Sequence, residues 1–416
     1  MVLSSPTPSA APPSGARSTS SSAGPLIDAK PQNMSIAARY RRMFGLREMG
    51  VYYALILLVI TLSIVTGYMG RANYLSAINI TNVLYQASLT AIMAVAMTVI
   101  LISGNFDLSV ASVAALSAAV LVGYADTLGF GPAVLLAMLV AIAAGLVNGA
   151  IVQFLGINAF IVTLGTLTAI RGLVLIFTDG HSLSVVDPDV IAAMKAFESG
   201  RVDIAVPLAI IGVALICTGT FLVLRARRGG AGAPPLALGT MLGGVCLCLL
   251  SWLGGPQLAL PKPAIYMAAF AGGVWFILTF STIGRRMYAV GGNPEAARLS
   301  GINVTRYKMA AFILCSAAAG FAGILFASRL RSINPAGLQG AELTVIASAI
   351  LGGTSLYGGA GSVIKTLAGA LLLYTLTNGF NILNLGANYQ GLIEGIVVVT
   401  AAAIYTVGGT RRRPRS

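Results

Sequence analysis

Long apolar runs separated by short polar segments make up most of this chain from residue 51 onward. Each run approaches the ~20 residues that an α-helix needs to cross a bilayer, and backbone in lipid must satisfy its hydrogen bonds internally. The pattern therefore predicts an all-α polytopic membrane protein with about 12 transmembrane helices. The predicted spans are 51–69, 80–102, 107–124, 131–155, 157–178, 203–224, 235–254, 263–283, 308–328, 341–357, 361–380 and 388–408.

The segments that flank the apolar runs divide the chain into three parts. Residues 1–36 are rich in Ser, Pro and Ala and contain no apolar run, which predicts a disordered N-terminal tail. Residues 37–408 form the predicted transmembrane domain, and residues 409–416 form a basic tail. Inside the domain, the polar and basic segment 284–308 stands between two apolar runs, so we expect it to lie in water.

Charge supports the membrane assignment and gives a topology. Only 9% of the residues are charged and 57% are hydrophobic, whereas a soluble domain carries about 25% charged residues. The net charge of +14 does not indicate a nucleic-acid partner, because the basic residues cluster at the ends of apolar runs. With cytoplasmic N- and C-termini, the basic clusters at 225–228, 284–308 and 411–415 all fall inside, as the positive-inside rule requires.

The sequence offers no catalytic or metal-binding constellation. It contains one histidine, His181, and four cysteines that lie inside apolar runs without a CxxC spacing. The glycine-rich segment 351–361 lacks the lysine of a phosphate-binding loop. We therefore expect no catalytic residue, no metal and no cofactor bound by this chain. Energy for transport would have to come from a gradient or from another subunit.

Two apolar segments, 103–109 and 351–361, are interrupted by glycine and small polar residues. Glycine at this density weakens a helix, and non-helical backbone at membrane depth either lines a cavity or is buried in protein. The segments therefore predict either a translocation pathway or tight turns at the inner membrane boundary. Ionisable side chains inside spans are often functional, and Arg171 and Glu394 are predicted to lie deep in the membrane in a structural or substrate-orienting role.

The polar segment 284–308 carries the signals of a short capped helix. Asn293 is a favourable N-cap, Pro294 suits the first helical position, and Gly301 suits the position after the last turn. The predicted helix, Pro294 to Ser300, is too short to be stable alone in water and has to pack against something. Docking into a groove of a cytoplasmic partner and lying on the membrane surface both agree with this pattern.

The segment 286–302, RMYAVGGNPEAARLSGI, resembles the cytoplasmic coupling loop of monosaccharide ABC importer permeases, the ribose, xylose and arabinose group. The chain is most similar to the longer xylose-type permeases, because it has an extra helix pair at about 203–254. Without that pair ten spans remain, as in the type II importer core. Further matches in the family's order and spacing are 104–110, 351–361, 378–381, Tyr389 and Gln390.

This resemblance implies the permease subunit of an ATP-driven importer for xylose or a related pentose or hexose, in the inner (plasma) membrane of a bacterium. The implied partners are a second copy of the permease, a cytoplasmic ABC ATPase that uses ATP-Mg, a periplasmic or extracellular sugar-binding protein, and the lipid bilayer. The chain itself would not be an enzyme.

The resemblance also assigns residues to two sites. The implied ATPase contacts are Gly291, Gly292, Asn293, Glu295, Ala296, Ser300 and Gly301. The segments around Asp107 and 352–361 are implied to flank the translocation pathway. Together with the two intramembrane charges, the predicted pathway residues are Asn105, Asp107, Ser109, Arg171, Gly352, Gly353, Thr354, Asn378 and Glu394.

Two other functions stay open at the level of sequence. A gradient-driven secondary transporter would work without an ATPase, but the sequence lacks the chain of acids and histidines that a proton relay needs. A membrane scaffold without a pathway would tolerate substitutions in the glycine-rich segments. Near Asp107 this chain has Asn105-Phe106 where the family more commonly has Gly-Ile, so the resemblance does not assign sugar contacts there.

Overall fold

The computed structural model describes residues 45–71, 73–228, 235–254 and 259–384, together with Leu392, Gly395, Ile396 and Val399. The chain divides into the units Met1–Gly45 and Leu46–Ser416, and the elements named below belong to the second. The helices are α1 (Leu46–Tyr68), α2 (Ala77–Ile102), α3 (Val110–Leu128), α4 (Phe130–Phe154), α5 (Ala159–Phe177), α6 (Pro188–Glu198), α7 (Ala205–Arg228), α8 (Pro235–Gly254), α9 (Lys262–Phe280), α10 (Thr282–Gly292), α11 (Pro294–Leu299), α12 (Val304–Leu330), α13 (Ala341–Leu351) and α14 (Val363–Leu383). The strands are β1 (Leu183–Ser184), β2 (Arg201–Asp203), β3 (Ala259–Pro261) and β4 (Ser332–Ile333).

Within the described part of the chain, nine helices are long and apolar enough to cross a membrane: α1 to α5, α7, α9, α12 and α14. Two shorter apolar helices lie within α8 and α13. The predicted all-α polytopic membrane fold is therefore confirmed. The predicted span at 341–357 is shorter than expected, because α13 ends at Leu351 before two glycines, the second of which has a φ of +77°. Outside the described residues lie the predicted tails 1–36 and 409–416 and, except for isolated positions, the predicted span 388–408.

The centre of the fold is α2, which is buried on all sides from Ala87 to Ile102. It packs against α9, α12, α13 and α14, and α12 also packs along α3 and α4. Small residues let these helices approach closely, as in other membrane bundles. A Cβ on Gly145 of α4 would lie 2.8 Å from the carbonyl oxygen of Phe312 on α12.

The loop between α5 and α7 contains structure that the apolar pattern did not predict. The side chain of Asp187 caps α6 by accepting hydrogen bonds from the backbone N–H groups of Asp189 and Val190, at 2.8 and 3.1 Å. Phe197, near the end of α6, stacks on Tyr266 of α9 with ring centroids 5.5 Å apart. The helix α6 has 11 residues, fewer than a membrane-spanning helix needs. Because polar residues flank it, the sequence pattern in this region is typical of a loop.

The extra helix pair, α7 and α8, stands beside the bundle as an antiparallel hairpin. The two helices pack closely against each other. Neither makes a comparable contact with any other described element. The hydroxyl of Ser251 donates to the carbonyl oxygen of Ala205 at 2.6 Å. The strands β2 and β3 pair antiparallel between α6 and α9, with Asp203 opposite Ala259, and so close the base of the hairpin.

Candidate functional site

The polar segment 284–308 folds as two short helices joined at Asn293. The first, α10, was not predicted, because three glycines and two arginines hide its helical pattern; it is capped by the Ser281 hydroxyl, which accepts from the N–H of Gly284 at 3.1 Å. The second, α11, begins as predicted: the Asn293 side chain accepts from the backbone N–H groups of Glu295 and Ala296 at 3.1 and 3.0 Å. It ends at Leu299, one residue earlier than predicted, and Gly301 has the expected positive φ of +78°.

One face of α11 is anchored and the other is free. Ala297 is buried with Val290 and Val304, which supplies the packing that so short a helix needs. On the free face Leu299 is 86% exposed, and the predicted ATPase contacts Gly292, Asn293, Glu295, Ala296, Ser300 and Gly301 are exposed as well. The exposed set combines an apolar side chain with a carboxylate, which suits docking to a protein groove.

Gly291 differs from the other predicted ATPase contacts, because it is buried. It belongs to what we call the glycine junction, formed by Gly104, Gly291, Gly358 and Gly359. The N–H of Gly359 donates to the carbonyl oxygen of Ile102 at the end of α2, at 2.9 Å. A Cβ on Gly358 would lie 2.5 Å from the carbonyl oxygen of Gly291 and 2.9 Å from the Cα of Gly104. Three backbone segments therefore touch at a point where no side chain fits.

The glycine junction ties both interrupted segments, 103–109 and 351–361, to the end of α10. A further hydrogen bond reinforces it, in which the hydroxyl of Tyr288 on α10 donates to the carbonyl oxygen of Gly361 at 3.0 Å; burial raises the pKa of that phenol. Both segments form turns that connect α2 to α3 and α13 to α14 and pack against protein, and residues 104–106 also line a cavity.

Next to the junction, Asp107 and Ser109 form a buried polar cluster with Asn148 of α4. One oxygen of the Asp107 carboxyl accepts from the backbone N–H of Ser109 at 2.9 Å and from its hydroxyl at 2.6 Å. The Asn148 amide donates to the Ser109 hydroxyl at 2.9 Å. Asn148, which sequence reasoning missed, had no signal beyond being an amide inside an apolar run. The cluster fixes the start of α3 against α4.

Replacing Asp107 with alanine is expected to lower the free energy of unfolding by about 2–3 kcal/mol, because two donors of Ser109 lose their acceptor in a buried position. Asp107→Asn keeps a carbonyl oxygen at the same place and should lower it by about 1 kcal/mol or less. Thermal unfolding of the detergent-solubilised protein compares the two variants. Equal stability of the alanine and asparagine variants would show that the carboxyl does not hold Ser109.

The other predicted pathway residues do not gather at this cluster. Arg171 of α5 donates to the carbonyl oxygen of Gly337 at 2.8 Å, in the loop after β4. That loop lies toward the opposite end of α3, where Asp126 accepts from the N–H of Val186 at 3.0 Å. The Asn378 amide donates to the Asn79 side chain at 2.9 Å.

Two glycines and a threonine of the predicted pathway set lie where α13 meets α14. A Cβ on Gly352 would lie 2.6 Å from the Cα of Thr366, and Gly353 forms the turn that follows. Thr354 is buried, and its hydroxyl has no hydrogen-bond partner among the described residues. Glu394 lies outside the described residues.

A cavity of about 410 Å³ opens beside the glycine junction. It lies between the loop 104–106, the turn joining α4 to α5, and α12. Its walls combine amides and aromatic rings with one cation: Asn105, Phe106, Gln153, Asn158, Phe160 and Lys308. Of these only Asn105 was predicted; the others come from segments distant in sequence, and nothing in their local pattern distinguishes them. Among the described residues that line the cavity there is no carboxylate.

Comparison with known proteins gives a consistent family assignment. A family model described as "Branched-chain amino acid transport system / permease component" matches residues 79–402. The ribose import permease protein RbsC of Escherichia coli (strain K12) is 32% identical over 369 residues, which is 88% of this chain and 96% of that protein. The xylose transport system permease protein XylH of the same strain is 31% identical over 378 residues, 89% of this chain and 95% of that protein. RbsC of Bacillus subtilis (strain 168) is 32% identical over 362 residues, 86% and 92% respectively. No solved structure matches the chain significantly.

Proposed function

Because this chain belongs to the family of transport-system permease components, we propose that it is the membrane-spanning subunit of an ATP-driven importer for a monosaccharide. The single observation that carries this proposal is the glycine junction. It joins Gly291, at the end of α10 and next to the start of α11, to the end of α2 and to the loop before α14 through contacts between backbones. A push on α11 therefore reaches the bundle core without passing through flexible side chains.

A sugar fits the cavity beside the junction better than an amino acid does. Sugar hydroxyls pair with amides, which both donate and accept, and the lining contains three of them. The Asn158 oxygen already caps α5 and the Asn105 amide already donates to Ser103, so the groups left for a sugar are Gln153, the Asn158 amide nitrogen and the Asn105 oxygen. A zwitterionic amino acid presents an ammonium group, for which the described part of the lining provides no carboxylate. The names of the relatives RbsC and XylH support the same choice, although the family description mentions branched-chain amino acids. We propose this cavity as the inner end of the translocation pathway.

The identity of the transported sugar is a more specific part of this proposal. The ribose and xylose permeases match at 32% and 31% identity, so identity does not choose between them. The helix pair α7 and α8 favours a xylose-type permease, in line with the resemblance stated above. Xylose is therefore the first substrate to test, with ribose and arabinose beside it.

ATP hydrolysis in a separate cytoplasmic ATPase would drive alternating access in this scheme, with no cofactor bound by the permease itself. Two copies of the chain would enclose the pathway, and a sugar-binding protein would deliver the substrate from outside a bacterial inner membrane. The basic clusters support cytoplasmic termini and a cytoplasmic α11. A gradient-driven transporter is less well supported, because Asp107 is enclosed by neutral partners rather than by further acids.

Transport by the reconstituted complex tests the proposal. Proteoliposomes contain the permease, its ATPase and its binding protein, and uptake of labelled xylose, ribose, arabinose, glucose and leucine is measured with internal ATP or a non-hydrolysable analogue. We expect ATP-dependent uptake of one or more sugars and none of leucine. Uptake that persists without ATPase and stops with an uncoupler would replace this function with secondary transport.

A further inference from the structure

The hairpin of α7 and α8 presents apolar side chains to its surroundings along its whole length. Within the hairpin, Gly212 and Gly244 let the two helices touch: a Cβ on Gly212 would lie 2.8 Å from the carbonyl oxygen of Gly244. The side chains that face outward are large and apolar. They include Ile210, Phe221 and Leu224 on α7 and Leu242, Leu249 and Trp252 on α8. The hairpin is thus covered by something other than the described helices of its own chain.

The charged side chains of the hairpin are all basic and lie at one end of it. Arg225, Arg227 and Arg228 are exposed in the last turn of α7. Between Asp203 and Glu295 the sequence contains no acidic residue, so no carboxylate within the hairpin or α9 neutralises them. Both α7 and α9 leave the β2–β3 ladder and cross the bilayer, so the three arginines lie at the bilayer face that also holds α10.

We propose that this hairpin is a lipid-binding surface, and that its three arginines bind the headgroup phosphates of anionic phospholipids in that leaflet. Guanidinium groups pair with phosphate through two parallel hydrogen bonds. The apolar faces below the arginines accept the acyl chains of the same lipids. Basic side chains next to a span attract anionic lipids with a measurable affinity for each residue.

Charge complementarity favours a lipid over a second copy of the chain. An isologous contact through the same hairpin would place two clusters of three arginines at the same bilayer face and close together, because the two-fold axis of a membrane dimer stands along the bilayer normal. Like charges brought together are unfavourable. Anionic headgroups instead neutralise every arginine, and they reach the hairpin from any side.

Lipid retention by the full-length protein tests the proposal. The protein is extracted from nanodiscs made of equal parts of phosphatidylglycerol and phosphatidylcholine, and the bound lipids are counted by native mass spectrometry. Replacing Arg225, Arg227 and Arg228 together with glutamine should lower phosphatidylglycerol retention by about tenfold or more. Phosphatidylcholine retention should not change, because the apolar faces are untouched.

The matched control replaces the same three arginines with lysine, which keeps the charge but not the paired hydrogen bonds, and should retain more phosphatidylglycerol than the glutamine variant and less than the unmodified protein. Unchanged phosphatidylglycerol retention in the glutamine variant would overturn the proposal, as would an equal loss of phosphatidylcholine. The exposed cysteines Cys217 and Cys246 provide a second test in native membranes. If a bis-maleimide joins two copies through these cysteines, a second copy covers the hairpin and the lipid proposal is wrong. The lipid measurement needs no transport, so its result is independent of the proposed function.

Discussion

Replacing Gly291 with alanine is expected to destabilise the protein by about 2 kcal/mol or more and to abolish uptake. A Cβ at this position would overlap the carbonyl oxygen of Ile102, with the N–H of Gly359 only 2.8 Å away. Both neighbours are backbone atoms, so neither can rotate aside, and α10 has to move away from the end of α2. Thermal unfolding in detergent and ATP-dependent uptake in proteoliposomes measure the two effects.

The adjacent glycine provides the matched control for stability. A Cβ on Gly292 would lie 3.8 Å from the Cα of Gly359, an ordinary van der Waals contact. Gly292→Ala should therefore keep the midpoint of thermal unfolding within about a degree of the unmodified protein, whereas Gly291→Ala should lower it by several degrees. If both variants unfold at the same temperature, the close approach at the glycine junction does not determine stability.

Reversing the charge of Glu295 is expected to abolish ATP-driven uptake while the protein remains in the membrane at its normal level. The side chain of Glu295 is exposed on the free face of α11, while its backbone N–H donates to the capping Asn293 side chain, a bond that the substitution leaves in place. A partner that receives this carboxylate would meet an arginine instead, and like-charge contacts at an interface are strongly unfavourable. Uptake and ATPase activity of the reconstituted complex report the effect: uptake should stop, and sugar should no longer stimulate ATP hydrolysis.

A matched charge reversal at the start of another helix in the same chain serves as the control for effects on folding. Asp189 follows a capping Asp187 and a proline at the start of α6, as Glu295 follows Asn293 and a proline at the start of α11. Asp189→Arg places the same charge against the same helix dipole, at a loss of up to about 1 kcal/mol. Both variants should reach the membrane in equal amounts. Normal uptake by Glu295→Arg would remove α11 from the ATPase contact.

The sequence was sufficient to predict those elements whose structure is determined by a single physical rule. Apolar runs of bilayer length predicted the spanning helices, and the Asn-Pro start and the final glycine predicted α11 to within one residue. Burial in a membrane bundle restricts what a span can contain, so the pattern is strong. Asn293 and Gly301 occupy the two ends of α11 because of local hydrogen bonding and backbone geometry. Such local preferences can be read from the residue types of a single sequence.

Contacts between distant segments were not predictable in the same way. Taken separately, Gly104, Gly291 and Gly358 can each be explained by a turn or a helix end in their own segment. Only the folded chain shows that they contact one another. The predicted ATPase contacts and the interrupted segments were therefore assigned to two separate sites, although Gly291 belongs to the junction of both. The cavity is lined by four segments that are distant in sequence. The helix α6 lies in a loop whose polar composition does not indicate a helix.

The β2–β3 ladder has a consequence for how this permease can change during evolution. The ladder returns the chain to the bilayer face from which α7 departed, and the insertion adds two crossings. Because two is even, everything from α9 onward keeps its orientation whether the hairpin is present or not. A single added helix would invert the downstream half and place α11 on the wrong side. Because Asp203 lies opposite Ala259, a tight turn between them would close the ladder into a β-hairpin and keep the order and orientation of the remaining helices.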